Sequence, residues 1–284
     1  MSAVPTPGRA VPFALSRAGA PAAAGLRLDP WLRRLAIVLS GALLPLGLFG
    51  LWSLAVQRGW LAPQILPPPS LVWQSLQELW ASGELQDHLL ISLRRVAWSV
   101  ALGTAVGLPL GMLMGLSARA RAYLLPSFQV VSQFPVVGWV PLLIIFVGID
   151  EALKVSAISI AVVVPVTVNA YKGIAQVPRP LLEVARVYRL GLGQVLARVV
   201  LPAAAPSLFN GLRLGVMQAW LSLVFVELLA SSEGIGFLMV WGRQLLQLDL
   251  VLVGVLAIGV VGVLLDSVLR WGERWVQRWR PAGR

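Results

Sequence analysis

Cysteine is absent from the 284 residues, and histidine occurs once, at His88. Disulfides, thiol catalysis and cysteine-based metal sites are therefore excluded, and no multi-histidine metal site can be assembled, so no metal is expected in this chain. Charge is scarce as well: only 12% of the residues are Asp, Glu, Lys or Arg. Lysine is nearly missing from the basic set, with Lys154 and Lys172 the two among 23 basic residues. Neither follows a glycine as a phosphate-binding loop requires, so the chain carries no nucleotide-binding motif of that type. It also lacks the clustered carboxylates of an acid–base enzyme, and a membrane enzyme is a poor reading. An ion-coupled carrier usually places several ionisable groups at mid-depth. Such groups are few here, which weakens a motor-free secondary transporter without excluding it.

Apolar residues make up 58% of the chain, far above an ordinary soluble domain. The net charge of +11 would suit nucleic acid if it were gathered in one patch. The basic residues instead lie between apolar runs, so the charge reads as membrane topology and no nucleic-acid partner is expected. Six runs, at about 35–56, 96–116, 124–147, 155–171, 214–230 and 250–265, read as spans, and the first, uncharged over its whole length, is long enough to cross a hydrocarbon core of about 30 Å. The expected fold is all-α, a polytopic membrane protein with six transmembrane helices over residues 29–284. Residues 1–28 are rich in Ala, Pro, Gly and Arg and hold no apolar run suited to a cleaved signal. They are expected to be a disordered cytoplasmic tail. With the N-terminus inside, the inner segments hold 18 Lys and Arg and the outer segments 5. The positive-inside rule thus places both termini in the cytoplasm.

The second run contains Gly103, Gly107, Gly111 and Gly115 at four-residue spacing. Small residues on one helix face let another backbone approach closely, and a lining for the permeation path is the other reading. The third run carries Pro126, Pro135 and Pro141, which in membrane helices mark kinks or breaks near cavities. Glu227 is the one acidic residue inside a run, and such a group is either solvated near the interface or paired. Arg94 and Arg95 open the second run on the outer side, and one of them is the expected partner in a gate or packing contact. Arg58, Arg94, Arg95 and Arg243 could guide an anion or simply snorkel to headgroups. Most of the twelve tryptophans fall near the interfaces, as an aromatic belt would. His88 reads as a surface residue, Ser70–Ala81 as an amphipathic helix, and 231–249 as a connection with room for a re-entrant or surface helix.

The longest polar interruption is 172–213, expected on the cytoplasmic side. Pro180 suits the first turn of a helix over 181–190. Leu181, Ala185 and Tyr188 share one face and Glu183, Arg186 and Arg189 another. Gly191 and Gly193 are expected to break that helix, and a second short helix over 194–201 is expected to end at Pro202. From these residues alone the charges could merely pair on a solvated face.

The run EVARVYRLGLGQVLARVVLP, Glu183 to Pro202, resembles the "EAA" loop of binding-protein-dependent ABC importer permeases. Glu183, Ala185 and Leu201-Pro202 fall in register with that pattern, while Arg189 stands where the family has Gly. The resemblance extends from about Leu66 to the C-terminus through LPPPSLVWQSL, GLPLG at Gly107 and GLRLGVMQAWLSLVFVELLAS from Gly211. It is closest to the aliphatic sulfonate, taurine and nitrate branch. It implies a type I permease fold in the bacterial inner membrane, with the loop acting as the helix that couples to an ATPase. Glu183 and Arg186 would position that helix, Ala185 would face out and permit close approach, Gly191 would permit the turn, and Arg189, Leu201 and Pro202 belong to the same coupling loop. It further implies two ABC ATPase subunits binding ATP and Mg, with no cofactor in this chain. A periplasmic or lipid-anchored solute-binding protein and a permease homodimer complete the expected assembly. The implied solute is a small anion, an organic sulfonate first and nitrate or bicarbonate next.

Overall fold

A computed structural model describes residues 30–277 apart from 61 and 63, with side chains from 40 to 275. The expected tail over 1–28 lies outside the described residues. Every regular element is helical: α1 (Pro30–Gln57), α2 (Pro69–Ser82), α3 (Glu84–Leu116), α4 (Ala118–Val131), α5 (Val136–Val147), α6 (Glu151–Ala175), α7 (Arg179–Val187), α8 (Leu192–Val195), a π-helical turn (Leu196–Val200), α9 (Leu201–Ala230), α10 (Ile235–Gln244) and α11 (Leu248–Gln277). Among the described residues five helices are long and apolar enough to cross a membrane, and the α4–α5 pair makes a sixth if it counts as one broken span. The fold is thus an all-α polytopic one, as expected. The chain divides into two units, with the boundary after Trp52.

Within the second unit α3, α6 and α9 form the centre. Glycine makes their approach possible. A Cβ built on Gly103 would lie 2.5 Å from Val162 Cβ, and one on Gly111 2.5 Å from Thr167 O. Gly107 and Gly115 face α6 in the same way, so the ladder on α3 packs against α6 along its whole length. On α9, Gly211 and Gly215 likewise admit Asn169, Val162 and Val166 of α6. Lipid tails are as apolar as leucine, so such close packing and interhelical hydrogen bonds must hold the helices together. Thr167 donates to Gly107 O (3.1 Å), Ser159 to Ser99 O (3.2 Å), Ser207 to Asn169 O (2.9 Å) and Asn210 Nδ2 to Asn169 Oδ1 (3.0 Å). Val96, Ile158, Val162, Val166, Trp220 and Leu223 fill the space between.

The helices differ in extent from the expected runs. The third run, expected as one span over 124–147, is two helices bent by 94° between Val131 and Val136. Pro135 cannot donate a backbone hydrogen bond and turns Phe134 away from the helical region, so the helix stops there and restarts. The helix over the second run starts at Glu84, well before Val96, because Gly83 in a left-handed conformation (φ 86°) both closes α2 and opens α3. The helix over the fourth run extends at both ends, from Glu151, where Asp150 caps its N–H at 2.8 Å, to Ala175.

Candidate functional site

The polar loop is built as a helix–turn–helix, but its punctuation differs from expectation. Helix α7 ends because Arg189, not a glycine, adopts the left-handed conformation (φ 52°). Arg189 N–H reaches Arg186 O (2.9 Å) and Leu190 N–H reaches Ala185 O (3.0 Å), the paired bonds of a Schellman C-cap. Gly191 has an ordinary extended backbone (φ −66°) as N-cap of the next helix, and Gly193 lies inside that helix. Pro202 does not end the second helix either. Residues 192–230 run on as one helix through the π turn, where Leu201 N–H bonds Leu196 O. The wider turn relieves the clash of the Pro202 ring with the carbonyl before it, so the helix tolerates a proline just after it.

Orientation of α7 is the larger correction. Ala185 is 2% exposed and points into the chain, while Leu181 and Tyr188, expected on its face, are exposed. The inward pair is Leu182, which packs against Ile174, Val177, Val200 and Ala204 at the ends of α6 and α9, and the buried Ala185. Ala185 therefore permits close packing within this chain. Glu183, Arg186, Arg189 and Pro202 are exposed, and Leu201 is half-buried. At the turn Val187, Tyr188 and Leu192 are 81%, 75% and 92% exposed, which makes an apolar tip between flanking charges.

A second polar centre lies at the other end of α3. Glu227 is 1% exposed, so a solvated carboxylate is excluded. Arg94 is exposed, and Arg95, 2% exposed, is the partner of Glu227. Arg95 Nη1 donates to Glu227 Oε1 (2.8 Å) and to the Glu233 carbonyl (2.7 Å). Its other edge forks onto Glu151, Nε to Oε2 at 2.9 Å and Nη2 to Oε1 at 2.6 Å. Lys154 adds a contact of 2.7 Å to the same Glu151 oxygen. Glu227 also accepts from Ser92 Oγ (2.8 Å) and from Gly236 N–H (2.8 Å). Ile235 N–H donates to Ser92 Oγ (3.0 Å) and Gly234 N–H to His88 Nδ1 (3.0 Å). His88 is thus a half-buried acceptor rather than a plain surface residue. Its Nδ1 carries no proton in this arrangement, which leaves the proton on Nε2.

One guanidinium therefore ties α3, α6, α9 and the start of α10 together. Gly234 is required beside it: φ is 102°, and an added Cβ would collide with the Glu227 carboxylate and lie 2.7 Å from Arg95 Nη1. Sequence reasoning found Glu227 and Arg95 but missed Ser92, Glu151, Glu233 and Gly234. The spacing of His88, Ser92 and Arg95 along one face of α3 was the available signal. Among the described residues no group of His, Asp and Glu is arranged to hold a metal.

A cavity of about 1110 Å³ opens where α4 and α5 break, walled by α3, α6 and α9. Its lining is mostly aliphatic, with polar groups at Ser132, Gln133, Asn169, Lys172 and Gln218.

Residues 107–278 match the family described as binding-protein-dependent transport system inner membrane component. The chain belongs to that family. The permease is 38% identical over 242 residues to SsuC of Bacillus subtilis (strain 168), an aliphatic sulfonates transport permease by name, covering 85% of this chain and 88% of that one. It is 32% identical over 233 residues to the taurine transport system permease TauC of Escherichia coli (strain K12), covering 80% and 84%. Its identity to the bicarbonate transport system permease CmpB of Synechococcus elongatus is 32% over 255 residues, covering 84% and 91%. Among solved structures, a chain of the inward-facing MetNI methionine ABC transporter superposes with a TM-score of 0.52 at 16% identity, covering 63% of this permease and 91% of that chain. That likeness concerns the fold. The protein is a multi-pass inner-membrane transport subunit of an ABC importer, not an enzyme in itself.

Proposed function

We propose that this permease moves a small anionic solute, an organic sulfonate such as an alkanesulfonate or taurine, into the cytoplasm. Both termini lie inside, and two ABC ATPases bind the loop between α6 and α9. ATP and Mg belong to those ATPases, a solute-binding protein delivers cargo from outside, and two copies of this chain form the path. The observation that carries the coupling reading is the turn at α7–α8. A rigid Schellman-capped corner exposes Val187, Tyr188 and Leu192 between Glu183, Arg186 and Arg189. Three large apolar side chains at such exposure on a well-packed corner suit a groove on a partner. Leu182 anchors the corner to the ends of α6 and α9, so a push on the tip reaches the membrane helices.

The sulfonate assignment rests on the names of the SsuC and TauC relatives, and the CmpB relative favours bicarbonate as the second reading. The test is co-purification from detergent with an ABC ATPase, comparing wild type with Tyr188→Ser and Leu192→Ser. Wild type should retain the ATPase and both variants should release it while remaining inserted. Undiminished binding by both would show that the corner is ordinary solvated surface. Uptake of ethanesulfonate against bicarbonate by the reconstituted wild-type complex decides the solute.

A further inference from the structure

We infer that the side-chain amides of Gln133 and Gln218 form the polar contact for the solute in the cavity at the α4–α5 break. This rests on the anionic-solute reading above and deepens it, naming the groups that meet the head and the tail. The cavity has four neutral polar residues and one charged residue on its wall among the described residues. Two of the neutral residues are already engaged. Asn169 donates to Pro165 O (2.8 Å) and accepts from Asn210 (3.0 Å), and Ser132 donates to Gln129 O (2.9 Å). The Gln133 and Gln218 amides bond no other group among the described residues. Gln218 lies near the middle of α9, and Gln133 lies where backbone leaves the helix between α4 and α5. Both side chains are exposed, so the amides are open to an occupant of the cavity, and broken backbone is tolerated where it lines one.

The chemistry of the wall selects the occupant. Each amide presents N–H donors to an oxygen-rich anion. No carboxylate lines the cavity among the described residues, and the one charge, Lys172, is cationic. Lys172 lies in the last turn of α6, at the end nearest the α7 corner. Neutral donors hold an anion loosely enough to release it, and the cation beyond them draws it toward that end. Val164, Val168 and Leu221 supply an aliphatic wall of the kind an alkyl chain needs. The fitting solute is a short alkyl chain ending in one anionic head, held amide to head and valine to tail.

The experiment uses the whole transporter, reconstituted with its ATPase and binding protein, and radiolabelled ethanesulfonate and octanesulfonate as probes. Gln218→Leu and Gln133→Leu should each cut ethanesulfonate uptake about tenfold, the loss of one hydrogen bond to a charged group. Gln218→Glu, which sets a negative charge against the head, should cut it further. Val164→Phe should shift preference from octanesulfonate toward ethanesulfonate, a change that general misfolding does not produce. Uptake within twofold of wild type in all four variants overturns the inference while leaving the sulfonate reading intact. Loss of permease self-association in these variants, with selectivity unchanged, also overturns it and assigns the cavity to a second copy of the chain. Wild type that carries neither sulfonate overturns both readings.

Discussion

Arg95 Nη1 stands 2.8 Å from Glu227 Oε1 with both side chains almost wholly buried, at the junction of four helical elements. A buried pair is weak evidence of net stability, because desolvation offsets most of the attraction. Removing Arg95 is a different matter, since it strands the buried Glu227 carboxylate, whereas removing Glu227 leaves Arg95 its fork onto Glu151. Arg95→Leu should destabilise the permease by about 3–5 kcal/mol, and Glu227→Leu by less because Glu151 still pairs with Arg95. The double variant should recover a large part of that loss. Thermal melting in detergent checks this, and additive losses in the double variant would mean that the two residues act independently. Arg95→Lys should resemble Arg95→Leu more than wild type, because an ammonium cannot fork onto Glu151 while also reaching Glu227 and the Glu233 carbonyl.

The glycine ladder gives a sharper steric prediction. At Gly111 a new Cβ would sit 2.5 Å from the Thr167 carbonyl oxygen, a backbone atom that cannot swing aside. Gly111→Ala should force α3 and α6 apart and cost about 1–3 kcal/mol, as overpacking does. Gly259 in α11 has nothing within 4 Å of a built Cβ. Gly259→Ala should therefore be neutral or gain about 0.5–1 kcal/mol from helix propensity. Melting temperatures of the detergent-solubilised chain compare the two. Equal effects would show that the close approach of α3 to α6 does not limit stability.

Much of this architecture was legible in the sequence because lipid constrains it strongly. Uncharged runs mark the long helices, and glycines at four-residue spacing mark a close-packed face. What stayed hidden was decided by tertiary packing. Helix α7 is short and apolar on more than one side, so its periodicity offers Leu181 and Leu182 almost equally. Only the core at Ile174, Val177 and Val200 selects the Leu182–Ala185 side. Glu151 lies in the polar stretch GIDEALK, where nothing in the local pattern distinguishes a solvated loop carboxylate from the acceptor of a buried arginine. The π turn hid for a similar reason, since Pro202 alone reads as a stop.

Arg189 occupies a left-handed position that glycine fills without strain. The family pattern has Gly at this place, and the geometry gives the reason. Arg189→Gly should stabilise the α7 corner by about 0.5–1 kcal/mol, and Arg189→Val should weaken it by a larger amount because a β-branched residue resists positive φ. Resistance of the loop to limited proteolysis orders the three forms. If the valine form resists as well as wild type, the left-handed cap is not what holds the corner.

Buried position also separates two corner variants that the sequence would group together. Ala185→Asp places a charge at a 2% exposed site, so it should unfold the corner and expose it to protease. Tyr188→Ser changes a side chain that is 75% exposed and should leave the protease pattern as in wild type. Both would lose a docked ATPase, and only the first would do so by losing structure. Protease patterns that match between the two would contradict the inward placement of Ala185.

Salt should distinguish the two ion clusters. Arg213 on α9 contacts Asp266 (2.8 Å) and Glu273 (2.6 Å) on α11, and Arg270 adds a contact of 2.9 Å to Asp266. Their side chains keep about a quarter or more of their surface open, so water and ions reach them. At 1 M salt the screening length falls to about 3 Å, and an open cluster of this kind is worth only about 1 kcal/mol even at low salt. Arg213→Ala should therefore lower the melting temperature modestly at 0.1 M salt and have little effect at 1 M. The loss caused by Glu227→Leu should stay nearly constant, because neither Arg95 nor Glu227 is open to solvent. A Glu227 effect that vanished at high salt would mean that ions reach the cluster, and that the junction of α3, α6, α9 and α10 opens in solution.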